Sequence, residues 1–115
     1  MKTNEFEIRL DVLYGKSKKS LKKVTCHASH FQWNEGMQCW DYVFSIYGYL
    51  DDPKKMQSVT LFGAMIDIIS SFRSVLLELK ESDPSIKYFL EVDGEVKRAY
   101  LVEIFGPFTP ESVDF

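Results

Sequence analysis

The sequence predicts an α+β domain of two layers, an antiparallel sheet in the order β-β-β-α-β-β with one long helix packed on one face. Three observations carry that prediction. Apolar and polar residues alternate in successive stretches before residue 50, the period of strands with one buried face. Between Leu61 and Leu79 the apolar spacing changes to three and four, the period of a helix. After Pro84 alternation returns and crosses an Asp93-Gly94 pair, a two-residue hairpin signal.

The first strand is the clearest. Phe6, Ile8, Leu10 and Val12 alternate with Glu7, Arg9 and Asp11, and Tyr14-Gly15-Lys16-Ser17 supplies a turn. Leu21 to Phe31 resumes the extended pattern with Val24, Cys26 and Ala28 inward and Lys23, Thr25, His27 and Ser29 outward, completing a hairpin. Asn34-Glu35-Gly36 breaks the chain again. In the third strand Trp40, Tyr42, Phe44 and Ile46 share one parity while Asp41, Val43, Ser45 and Tyr47 share the other. Leu50-Asp51-Asp52-Pro53 ends it, because aspartates favour turns and proline has no amide proton for a ladder.

The helix is predicted over residues 59–81. Leu61, Met65, Ile68, Phe72, Val75 and Leu79 form its apolar stripe, widened by Phe62, Ile69 and Leu76. Ser58 is the predicted N-cap, and Ser82-Asp83-Pro84 stops the helix because the residue before proline avoids the α region. Beyond it, Ile86, Tyr88, Leu90 and Val92 lead through Asp93-Gly94 to a last strand from Val96 to Ile104. A two-residue loop would set Leu90 opposite Lys97, whereas a three-residue loop pairs Val92 with Val96 and Tyr88 with Tyr100. Apolar pairing favours the second register. Gly106-Pro107-Phe108-Thr109-Pro110 reads as a packed loop or a frayed end. No linker or repeat divides these parts, so residues 1–115 form a single domain.

Composition agrees. The chain has 115 residues, 45% hydrophobic and 15% aromatic with 6 Gly and 4 Pro, which excludes disordered and low-complexity classes. The net charge of −3 conceals an asymmetry. Residues 1–25 hold seven Lys and Arg against three acids, while the rest holds seven against fourteen. Five lysines between Lys16 and Lys23 read as a solvated hairpin tip that discourages edge pairing, with a phosphate or membrane-surface patch as the alternative. The net charge of −3 argues against nucleic acid as partner, and the acidic remainder favours a basic protein. No apolar h-region follows Met1 and no apolar run reaches bilayer length, so the expectation is a cytoplasmic protein with no membrane association.

The chain carries few residue patterns suited to catalysis or metal binding. Cys26, His27, His30 and Cys39 include zinc-ligand types, but adjacent strand residues face opposite ways and no closely spaced ligand pairs occur. There is no Gly-x-Ser-x-Gly elbow, no cysteine-protease signature and no phosphate-binding glycine loop. The expectation is therefore a non-enzyme without metal or cofactor. Four aromatics escape burial by parity: Phe31, Trp33, Tyr47 and Tyr49. With nearby acids they define a candidate partner-binding set of Trp33, Glu35, Asp41, Tyr47, Tyr49, Asp51 and Asp52, because rigid aromatic area ringed by charge suits a docking face. The same aromatics could instead cover the sheet end under the C-terminal tail. Asp67, Glu78 and Glu81 on the outer helix side read as a solvated face or a second acidic docking surface.

The hairpin, the strand carrying Trp40-Asp41-Tyr42, the helix from Ser58 and the segment from Phe89 to Glu95 resemble a family of small uncharacterised bacterial β-β-β-α domains over residues 5–95. More broadly the chain is similar to immunity proteins of polymorphic and contact-dependent growth inhibition toxin systems. That resemblance implies a bacterial protein that binds a cognate toxin, commonly a nuclease, and blocks it; it carries no binding motif over to particular residues. The alternatives are a small-ligand or regulatory domain with a cavity between helix and sheet, and a homodimer formed at an open sheet edge. A monomer or weak homodimer is expected.

Overall fold

The computed structural model describes residues 3–4, 7–49 and 52–105. The predicted two-layer α+β architecture is present: seven antiparallel strands and a 22-residue helix packed on one face of the sheet. In chain order the elements are β1 (Thr3–Asn4), β2 (Ile8–Gly15), β3 (Lys22–Asn34), β4 (Cys39–Tyr47), β5 (Lys54–Ser58), α1 (Leu61–Ser82), β6 (Lys87–Val92), β7 (Glu95–Ala99) and α2 (Leu101–Phe105). The sheet runs β5-β4-β3-β2-β6-β7, with β1 pairing the far end of β3.

Strand alternation builds the covered face. Val12, Val24, Cys26, Ala28, Tyr42, Phe44 and Ile46 are buried against Ala64, Ile68, Phe72, Val75 and Leu76 of α1. The helix is about 33 Å long at 1.5 Å per residue, enough to cross the sheet. Its stripe is turned slightly from the predicted one. Small Ala64 faces the sheet and lets the helix approach, while Phe62 and Met65 point outward, 62% and 45% exposed. Phe105 of α2 meets Phe72 edge-on with ring centroids 6.0 Å apart, and the Tyr88 hydroxyl donates to the Leu76 carbonyl. Cys26 and Cys39 are free and buried, and burial pushes the Cys26 thiol up to about 12.

Several local expectations change. The N-cap is Thr60: its backbone is extended and its hydroxyl accepts from the Gly63 amide at 2.9 Å. Ser58 instead closes β5, an edge strand that the Pro53 break concealed, since proline at 53 stands just before the first ladder residue. The β6–β7 hairpin takes the two-residue loop, with Val92 opposite Glu95, Leu90 opposite Lys97 and Tyr88 opposite Ala99. Asp93 and Gly94 both have positive φ, 52° and 80°, the geometry that matches strand twist, and turn geometry therefore overrides apolar pairing. The last predicted strand stops at Ala99, and Leu101–Phe105 is a short helix. Phe6 and the tail 106–110 lie outside the described residues.

The largest departure lies inside β3. Between the pairs Ser29↔Val43 and Gln32↔Asp41, β3 advances three residues while β4 advances two. The extra residue is a bulge, and His30 sits there with φ 59°. A one-residue insertion reverses parity beyond it. Phe31 therefore joins the covered face, fully buried and stacked on Tyr42 at 5.1 Å.

Candidate partner-binding surface

The face of the sheet opposite α1 presents Arg9, Asp11, Thr25, His27, Asp41, Val43 and Tyr47, the residues whose parity excludes them from the core. Its polar side chains hold one another. Thr25 Oγ1 donates to Asp11 Oδ1 at 2.6 Å, and Arg9 Nε lies 3.5 Å from the same oxygen. His27 Nε2 contacts Glu7 Oε2 at 2.8 Å, and the Tyr47 ring stands 6.0 Å from the imidazole. The hydrogen bond with His27 holds the Glu7 carboxyl below its ordinary value, and the Thr25 hydroxyl does the same for Asp11.

The predicted set separates into two groups. Trp33, Glu35 and Asp41 stand at the β3–β4 turn; Tyr47, Tyr49 and Asp52 stand at the other end of β4. Asp41 and Tyr47 are six residues apart on one strand, about 20 Å at the strand rise. Asp51 lies outside the described residues.

At the turn end the side chains are engaged locally. Trp33 and Trp40 oppose each other across the strands, half-buried and edge to face with centroids 5.6 Å apart. The bulge sends Trp33 to the helix side of the sheet while Asp41 remains on the open side. Asp41 accepts from Asn34 Nδ2 at 3.0 Å and from Gln57 Nε2 at 2.9 Å. Glu35 is exposed in the turn, where its backbone carbonyl accepts from Gln38 Nε2 at 2.7 Å.

At the other end the aromatics remain available. Tyr47 is 49% exposed and Tyr49 41%. Gly48 between them has φ 91°, and a Cβ there would stand 2.7 Å from the Lys23 carbonyl oxygen, so only glycine makes the turn without strain. That turn carries Tyr49 over the sheet end to donate its hydroxyl to Glu78 of α1, and the bond raises the phenol above its ordinary value. Tyr49 and Glu78 thus join sheet and helix at the end of β4, with Tyr47 and Asp52 exposed on either side of that loop. Glu78 had no place in the predicted set because its partnership depends on where the Gly48 turn delivers Tyr49. The alternation break between Ala28 and Phe31 was the readable sign of the bulge.

A hollow of about 580 Å³ lies over the bulge, lined in part by His30, Asp41, Val43, Lys55 and Gln57. Among the described residues no group of three or more His, Cys, Asp or Glu side chains is placed to hold a metal ion, and no helix is long and apolar enough to cross a membrane. No protein-family model, curated protein or solved structure matches the chain.

Proposed function

We propose that this protein is a non-enzymatic inhibitor of the immunity type, which neutralises a cognate bacterial toxin by covering it with a preformed surface. The supporting observation is the end of β4, where Tyr47 and Tyr49 are both exposed and Tyr49 is fixed by the Gly48 turn and its hydrogen bond to Glu78. Rigid aromatic area loses little entropy on docking, and acids beside it attract a basic partner. The acidic excess of residues 26–115 supports the same partner chemistry.

The test is binding kinetics with any toxin domain that is found encoded beside this gene. The protein should form a stable complex, and Asp51→Lys with Asp52→Lys should slow association several-fold at low salt while leaving dissociation nearly unchanged. Absence of a complex with that toxin overturns the reading. A second reading, a small-ligand or regulatory domain, is favoured by one observation, the hollow over the β3 bulge, which lies on the open face of the sheet and not between helix and sheet.

A further inference from the structure

We infer that the hollow over the bulge is a binding site for a free α-amino acid, held as its zwitterion between Asp41 and Lys55. This rests on the small-ligand reading and gives it a ligand class. The cross-strand pairs Asp41↔Gln57 and Val43↔Lys55 put a carboxylate and an ammonium in adjacent rows of the same sheet face, with Val43 between them as an apolar floor. Diagonal neighbours of this kind have stems about 7–8 Å apart.

Asp41 does not lean across to Lys55. Its two oxygens are fixed by Asn34 Nδ2 and Gln57 Nε2, at 3.0 and 2.9 Å, which leaves the carboxylate oriented and able to accept further donors. Lys55 is exposed and has no ion pair among the described residues. An α-amino acid sets its ammonium and carboxylate on a single carbon. With charge-assisted contacts of about 2.8 Å on each side, such a molecule would bridge Asp41 and Lys55, between which no ion pair forms among the described residues. His30, displaced outward by the bulge, closes the third side of the hollow, and a ligand side chain would lie over Val43.

The experiment is a titration of the ¹⁵N-labelled chain with L-leucine, L-leucinamide and N-acetyl-L-leucine, followed by amide shifts. L-leucine should give saturable shifts at residues 30, 41–43 and 55–57, and the amide and the N-acetyl compound should bind at least about tenfold more weakly, since each lacks one charge. Asp41→Asn and Lys55→Gln, both surface changes that keep a polar side chain, should each weaken L-leucine at least about tenfold. Equal binding of all three compounds overturns the zwitterion site, as does the lack of saturable shifts up to about 10 mM. A parallel panel of nucleotides, sugars and dicarboxylates separates the two levels. Saturable shifts at the same residues by one of those classes overturn the amino-acid assignment but leave the small-ligand reading standing, whereas silence from every compound ends both.

Discussion

Strand β4 carries aromatic residues at both ends, Trp40 near the β3–β4 turn and Tyr47 before the Gly48 loop, and the two ends use them differently. At the turn, Trp40 packs against the core and against Trp33, and both are half-buried, so the Trp40 ring is spent on closing the end of the core. At the loop, Tyr47 and Tyr49 keep nearly half their surface in solvent; Tyr49 is held by its hydroxyl on Glu78, and the Tyr47 ring stands 6.0 Å from the His27 imidazole. Aromatic content alone therefore does not mark a docking face; what matters is whether neighbouring aromatics satisfy one another or are held apart. Stability should depend on the turn end and recognition on the loop end.

The largest effect expected from that division is at Trp40. Removing its ring opens a cavity beside Trp33, so Trp40→Ala should cost about 2–3 kcal/mol in urea denaturation. Tyr47→Ala should cost less than about 1 kcal/mol, as surface truncations usually do. Similar losses at both positions would break the comparison. Next comes Gly48→Ala, which forces a side chain into the left-handed region and against the Lys23 carbonyl. A loss of about 1–3 kcal/mol is expected, together with release of Tyr49 from Glu78 visible as a lowered phenol titration.

A smaller effect concerns pH. Thr25 lies opposite Tyr47, and its hydroxyl holds the Asp11 carboxyl below its ordinary value. A carboxyl depressed in the folded state adds stability above its unfolded pKa, and that contribution is lost as pH falls through the lower folded value. Thr25→Val should therefore reduce stability near neutrality by about 1 kcal/mol or less after screening at this partly exposed site, and flatten the acid loss below about pH 4. An unchanged acid limb in the variant would show that the Thr25 hydroxyl does not set the Asp11 titration.

These contrasts also explain what could be read from the sequence. Alternation identified the inward residues of β2, β4 and the first half of β3, because one buried face imposes a period of two on the chain. The helix was legible for the same reason, although its rotation was not, since Ala64 and Met65 both fit the periodicity and only packing against the sheet chooses between them. Phe31 was misplaced by a single extra residue, and a bulge signals itself only as a change of phase. The β6–β7 register was decided by two positive φ values that outweighed an apolar pairing. For the candidate surface, Tyr47 and Tyr49 were legible as aromatics without a place in the core. The separation of Trp33, Glu35 and Asp41 from them followed from strand length, and the Glu78 contact from a turn whose direction the sequence does not specify.

The most direct test of the proposed inhibitor role measures affinity of a candidate toxin partner for two variants, Tyr47→Ala with Tyr49→Ala, and Trp33→Ala, at a temperature well below either unfolding midpoint. The account predicts at least about 100-fold weaker binding for the double tyrosine variant and less than about threefold change for Trp33→Ala. Loss of binding in Trp33→Ala with the tyrosine variant unaffected would contradict it.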